Sequence, residues 1–280
     1  MTRTSPDFHA VAGIDFTSRP TRRKPIAVAL GQAAADAVRL VRVETHDSFD
    51  GLARWLRTPG PWVAGFDMPF GLPRELVATL GWPGEWLPLM RHYAALSRAQ
   101  IRAEFAAFCA ARPAGAKFAH RVCDAPAGSS PSMKWVNPPV AYMLHAGVPL
   151  LIDAGLHLPG LHAGDPQRVA LEAYPGLLAR ELIGARSYKS DDPRKHTAER
   201  LIARKDLLDA LEQGRTRLAL RLRLSRAQRD ELVDDASGDR LDAVLCMLQA
   251  AWAAGRPNHG LPAQVDALEG WITSAASTSA

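Results

Sequence analysis

The stretch V-A-G-I-D-F, Val11 to Phe16, decides how this chain is read, because a short apolar run ends there in a carboxylate, Asp15. Such a run predicts a buried strand. An acid at a strand exit has two meanings on its own. It shapes a turn or caps the next element, or it stands at a sheet edge where ligands bind. Which one holds depends on whether other acids converge on Asp15.

Working outward, the turn-rich segment Thr17 to Lys24 leads to candidate strands at Pro25 to Leu30 and Ala37 to Thr45. Short connections between three successive strands predict an antiparallel meander. Ser48 is placed to cap a helix over Phe49 to Leu56, which Pro59, Gly60 and Pro61 stop. Trp62 to Phe66 is then a fourth strand, and it too ends in an acid, Asp67. In open α/β sheets ligands bind outside the carboxyl ends of strands, so two strands of this kind can bring both acids to one edge.

Beyond Arg74 the pattern changes. Glu85 to Ala111 has helical spacing, Lys117 to Pro139 is irregular, and a helix is expected from Asn137 with Pro138 in its first turn. Irregular stretches of that length inside a compact protein are usually functional or disordered. This one mixes Arg121, Asp124, Ser129, Ser130, Lys134 and Trp135, as a working loop would, although ordinary surface polarity has the same composition. A strand resumes at Arg168 to Ala173, carrying Glu172, followed by helices at Gly176 to Ile183, Thr197 to Leu211 and Asp239 to Ala254. Leu261 to Trp271 is expected to form a short last helix, and 273–280 a frayed, disordered tail. The expected organisation is one domain over 1–272, with a helical and loop insertion at 74–165.

Composition narrows the function classes. Among 280 residues, 47% are apolar, enough for a sizeable core. Three cysteines without C-x-x-C spacing favour neither a zinc site nor a disulfide framework and suit a reducing, cytoplasmic setting. The first ten residues lack the apolar core of a signal peptide, and the longest apolar segment, Leu241 to Ala254, is shorter than the ~20 residues that span a bilayer. No membrane association is expected. A net charge of +5 is compatible with phosphate-bearing partners. Arg19, Arg22, Arg23 and Lys24 cluster just after Asp15, whereas the arginines of 215–229 alternate with leucine and read as a solvated face. The histidines occur without H-E-x-x-H or G-x-S-x-G context, and no P-loop is present.

The other informative pair is Asp239 and Asp242, three apart at the start of a helix and therefore on one face. Acids in a first turn stabilise a helix by themselves. Here, however, Ala243, Val244, Leu245, Met247, Leu248, Ala250 and Ala251 make the helix apolar nearly all round, and carboxylates at the head of a buried helix need a positive partner. Two strand-end acids and two helix-start acids form an oxygen-rich set suited to Mg²⁺ or Mn²⁺. Such a set can run two-metal hydrolysis, in which one ion generates the nucleophile and the other stabilises the leaving oxygen.

These residues resemble a known family. G-I-D-F at Gly13 to Phe16, D-M-P-F-G-L-P at Asp67 to Pro73, R-V-C-D at Arg121 to Asp124, E-A-Y-P at Glu172 to Pro175, Y-K-S at Tyr188 to Ser190 and G-D-R-L-D-A at Gly238 to Ala243 are similar, in order, to the uncharacterised domain-of-unknown-function family four-twenty-nine. Its members are described as predicted ribonuclease H-like nucleases, distantly similar to RuvC-type resolvases. The resemblance implies an α/β fold, a ribonuclease H-like mixed five-stranded sheet flanked by helices with a mainly helical insertion after the fourth strand. It implies metal binding by Asp15, Asp67, Asp239 and Asp242, with Lys189 at the phosphate. Asp67 stands where the resolvase branch has Glu. Glu172 is either a further metal ligand or the anchor of Arg121 or Lys189. Arg19, Arg121, Asp124 and Lys134 are the candidates for substrate contact, and Arg121 with Asp124 would otherwise be a structural ion pair. The expected function is metal-dependent phosphodiester hydrolysis on DNA or RNA. A nucleic-acid or nucleotide-binding module without turnover and a small-molecule phosphoryl-transfer enzyme are the alternatives.

Overall fold

The computed structural model describes residues 9–276. Val11 to Asp15 lie in the first strand, β1 (His9–Asp15), which forms an antiparallel meander with β2 (Ile26–Ala33) and β3 (Ala37–His46). After helix α1 (Phe49–Leu56), capped by the Ser48 side chain, β4 (Trp62–Phe66) pairs with β1 in parallel. The meander is the arrangement that the short connections predict, and the fourth strand falls where it is expected.

The sheet is wider than the five strands expected. Among the described residues it is mixed and seven-stranded, in the order β5-β6-β4-β1-β2-β3-β7, with β5 (Leu156–His157), β6 (Asp165–Glu172) and β7 (Arg221–Arg223). β5 and β7 are two and three residues long, too short to leave a period-two pattern. β7 lies inside the arginine series read as a solvated face. Arg221 and Arg223 are indeed exposed, but Leu222 between them is buried against the sheet.

Helices cover both faces. Ala12, Ile14 and Phe16 point into a core shared with α1, with α2 (Arg74–Leu80), α3 (Trp86–Ala95) and α4 (Arg98–Ala110), and with α6 (Val140–Asp153). The expected helix over 85–111 is two helices because Ser97 starts a new one, its hydroxyl and the Gln100 side chain forming a capping box. Between α4 and α6 the chain is irregular except for α5 (Asp124–Ala127). The segment 74–165 is thus mainly helical, but it also contributes β5 to the sheet edge.

On the opposite face, Val11 packs with α7 (Pro175–Ile183), α8 (Ala198–Glu212), α9 (Arg226–Asp234) and α10 (Asp239–Ala254). α10 is buried over almost its whole circumference, as its composition requires. It lies directly on the sheet: a Cβ on Gly13 would come within 2.0 Å of the Ala243 carbonyl oxygen, and one on Gly65 within 2.5 Å of that of Cys246.

Two expectations at the C-terminus change. The segment 261–271 is irregular, following a 3₁₀ turn at Pro257–Gly260, and it buries Leu268 and Trp271. Thr273 and Ser274 are buried, not frayed. Thr273 N–H donates to the Glu172 carbonyl (2.8 Å), while buried Gln249 of α10 donates to the Thr273 carbonyl and the Ser274 hydroxyl. The rest of the expected tail, 277–280, lies outside the described residues. No helix of the described residues is long and apolar enough to cross a membrane.

Candidate metal centre

Three elements position the acids. Asp15 is the last residue of β1, and Asp67 follows β4 at once. The Asp67 N–H donates to the Ile14 carbonyl (2.8 Å), continuing the parallel pairing to the point where both acids leave the sheet. Successive strand residues alternate faces, so Asp15 shares its face with Gly13 and Asp67 with Gly65. α10 crosses that face on the two glycines, and its first turn delivers Asp242. One carboxylate oxygen from each of Asp15, Asp67 and Asp242 lies within 4.8 Å of the other two.

The electrostatics of the cluster are unbalanced. Asp242 has no exposed surface, and its two oxygens accept hydrogen bonds from the Tyr188 hydroxyl and the Lys189 ammonium. Among the described residues, no protein donor reaches the carboxylates of Asp15 or Asp67. Burial, and after it the neighbouring Asp242, pushes the Asp15 carboxyl well above its usual range. The same two causes raise Asp67 to about 7. Burial opposes the charge of Lys189, but Asp242 and its neighbours hold the ammonium well above the ordinary lysine value. Once all three carboxylates are ionised, as holding a cation requires, they leave two negative charges against one ammonium, the deficit that a divalent cation fills. All the available donors are carboxylate oxygens, the set that hard cations prefer.

Lys189 is firmly placed. Buried Arg204 of α8 donates to the Tyr188 carbonyl (2.7 Å), and Ser190 N–H donates to the Ala236 carbonyl (3.0 Å). Gly238 adopts φ 77°, and a Cβ there would sit 2.6 Å from that of Lys189, so glycine is required for both backbone and space.

Asp239, expected beside Asp242 on the metal, is set apart from the three clustered oxygens. Its carboxylate accepts from Lys24 at 3.2 Å, and Lys24 also reaches Asp191 at 2.5 Å. The cation that follows Asp15 in sequence thus occupies the fourth acid. Burial still raises the Asp239 carboxyl, with Lys24 opposing it.

Glu172 is not part of the cluster. It accepts from the Arg121 guanidinium at 2.6 and 2.7 Å and from the Phe70 N–H at 2.9 Å, so it anchors Arg121 instead of reaching for an ion. Arg121 also donates to Asp124 (2.9 Å) and to the Glu269 carbonyl (3.1 Å). Its side chain is 1% exposed and that of Asp124 0%. Arg121 and Asp124 thus form the buried ion pair that was the alternative to substrate contact, tying the insertion to the sheet. Arg19 is exposed in the loop after β1, and Lys134 is half-buried in the insertion.

A cavity of about 290 Å³ adjoins the cluster, with Asp67 and Lys189 in its wall. Its other walls come from the chain after β6, from Ser129 and Ser130, from the start of α6 and from Ile272. Arg19 and Lys134 do not line it. The contacts of Tyr188 with Asp242 and of Lys24 with Asp239 do not follow from sequence. The Y-K-S motif held the signal for the first, and the density of cations after Asp15 held it for the second. No protein-family model, curated protein or solved structure matches this chain.

Proposed function

We propose that the protein is a metal-dependent phosphodiesterase, a nuclease acting on DNA or RNA, with Asp15, Asp67 and Asp242 holding Mg²⁺ or Mn²⁺. The observation that carries this reading is the convergence of three carboxylates from three separated segments on one buried point, opposed by a single ammonium. Burying acids together costs several kcal/mol unless something positive compensates them, so a fold that does so has a use for the cation.

The bound ion would supply Lewis-acid activation of water and charge stabilisation at phosphorus. The chain's own groups do the rest. Tyr188 orients Asp242 through its hydroxyl, and Arg204 fixes the backbone from which Lys189 extends. Lys189 keeps 40% of its side chain exposed, so its ammonium can serve a phosphate oxygen at the mouth of the cluster. The exposed Arg19, Arg22 and Arg23 give the loop beside Lys24 the charge that tracks a phosphate backbone. A second ion would need Asp239, which Lys24 would have to release.

The three-stranded meander, the parallel strand ending in an acid, the further parallel strand and the late acid-headed helix support a ribonuclease H-like assignment. The two additional short edge strands are then additions to that core. This order, with the six motifs, is also the support for membership of family four-twenty-nine.

The experiment is cleavage of single-stranded, duplex, hybrid and branched nucleic acids with Mg²⁺ or Mn²⁺, comparing wild type with Asp15→Asn. Metal-dependent cleavage abolished by Asp15→Asn is expected. No cleavage of any substrate, or undiminished cleavage by the variant, overturns the reading. The small cavity beside Asp67, about 290 Å³, favours one other reading, phosphoryl chemistry on a single nucleotide, which hydrolysis of nucleotides without cleavage of any polymer would establish.

A further inference from the structure

The cavity beside the acids has a composition that the metal chemistry does not use. Its walls are apolar over most of their area: Met68 after β4, Met143 from α6 and Ile272 from the C-terminal segment. One aromatic ring, Tyr174, belongs to it, and the Arg180 guanidinium, which does not line the cavity, lies 5.3 Å from the ring centre. Two hydroxyls, Ser129 and Ser130, supply the polar edge. Ser129 donates to Asp124 (3.0 Å) and keeps its lone pairs, whereas the Ser130 hydroxyl has no side-chain or backbone partner among the described residues. Arg121 also borders the space, but its donors are spent on Glu172, Asp124 and Glu269.

Size and chemistry together select the occupant. At about 290 Å³ the space is at the lower limit for organic ligands, about 300 Å³, and holds one ring system, not a length of polymer. A sugar would leave its hydroxyls against methionine and isoleucine, and an alkyl chain would leave both serines unused. A planar group with apolar faces and a hydrogen-bonding edge satisfies both. Because Asp67 and Lys189 belong to the cavity and to the cluster alike, that group is attached within one residue of a phosphate lying at the acids.

We propose that this cavity receives a nucleobase turned out of any stack, so that the substrate is cut next to an unpaired nucleotide. The proposal rests on the phosphodiesterase reading and adds its substrate class: single strands, ends, loops or mismatched positions, not uninterrupted duplex. Extruding a paired base requires unpairing and unstacking it, which an already unpaired base does not. Every base has a face that can stack on an aromatic ring, so the site is tolerant of sequence.

The test separates base recognition from catalysis. Binding of AMP and of ribose 5-phosphate is measured by calorimetry on the full chain with Mn²⁺, for wild type, Met143→Trp, which fills the cavity, and Ser130→Ala. AMP is expected to bind about 10-fold or more tighter than ribose 5-phosphate, with the difference removed by Met143→Trp and reduced by Ser130→Ala. Equal binding of the two ligands, or an undiminished AMP preference in both variants, overturns the proposal. If Met143→Trp does not fold, the partly exposed Ser130 still decides through its alanine variant. AMP preference without cleavage of any polymer would uphold the base site while removing the nuclease reading. Cleavage of duplex as fast as of single strand would uphold the nuclease and remove the base site.

Discussion

Gly13 of β1 and Gly65 of β4 stand opposite each other in the parallel pairing, each two residues before an acid, and α10 rests on both. The missing side chains are what let the first turn of α10 approach the sheet edge, so the two glycines set the spacing of Asp15, Asp67 and Asp242. A Cβ on Gly13 would meet the Ala243 oxygen at 2.0 Å and the Met247 nitrogen at 2.1 Å, both backbone atoms that no rotamer change can move. Gly13→Ala is therefore expected to destabilise the fold by about 3 kcal/mol or more, at the upper end for overpacking, and to weaken Mn²⁺ binding in whatever fraction folds. Urea unfolding with and without Mn²⁺ measures both. A midpoint within error of wild type would show that α10 does not depend on this contact.

Asp15 and Asp242 predict opposite signs in the metal-free protein. Asp15 has no donor and is raised by burial and by Asp242, so Asp15→Asn relieves a repulsion and is expected to raise the unfolding temperature by a few degrees. Asp242 receives Tyr188 and Lys189, so Asp242→Asn strands an ammonium and lowers it. The loss is smaller than the about 3–5 kcal/mol of a fully buried broken pair, because Lys189 is 40% exposed. Both variants lose the stabilisation that excess Mn²⁺ gives wild type. Thermal unfolding of the three proteins with and without Mn²⁺ checks the signs. Destabilisation by Asp15→Asn in the absence of metal would contradict the charge imbalance.

Asp67 gives the pH dependence. Its folded value of about 7 lies above the ordinary carboxyl value of 3.8, so between these the folded state binds more protons than the unfolded. Stability of the metal-free protein must then fall as pH rises through that window, by at most about 4 kcal/mol for this group, at ~1.4 kcal/mol for each pH unit of separation. Asp15, also raised, acts in the same direction. Excess Mn²⁺ prefers the ionised acids and is expected to reverse the slope. Unfolding temperatures from pH 4.5 to 7.5, with and without Mn²⁺, measure it, and a metal-free slope of rising stability would refute the buried, protonated acid.

The meander, the two strand-end acids and α10 were legible in sequence because each rests on a local pattern: short apolar runs between turns, a terminal acid, a helix apolar all round. What escaped depended on contacts distant in sequence. Lys24 takes Asp239 across 215 residues, and Arg121 takes Glu172 across 51. Nothing at either end of such a pair distinguishes a ligand from an anchor. The close approach at Gly13 and Gly65 was equally hidden, since a glycine in a strand marks tight packing without naming its neighbour. β5 and β7 were too short for periodicity, and the order of Thr273 and Ser274 depends on partners distant in sequence, Gln249 and Glu172.

Arg121 offers the sharpest separation of anchor from substrate contact. Its guanidinium bridges Glu172 and Asp124 with side chains 1%, 4% and 0% exposed. Arg121→Met leaves two carboxylates buried without a positive partner and is expected to cost about 3–5 kcal/mol. Arg121→Lys should recover little of this, because one ammonium cannot reproduce the paired donors that meet Glu172 at 2.6 and 2.7 Å. Replacing Glu172 and Asp124 together with Gln and Asn in the Arg121→Met background removes both stranded charges and is expected to restore part of the stability. Urea unfolding of this series measures the coupling. Nucleic-acid affinity across a salt titration supplies the other half: a residue that touches phosphate reduces the salt slope by about 1 when lost, whereas an anchor leaves it unchanged. For Arg121→Lys an unchanged slope with lowered stability is expected, and a reduced slope at wild-type stability would return Arg121 to the substrate.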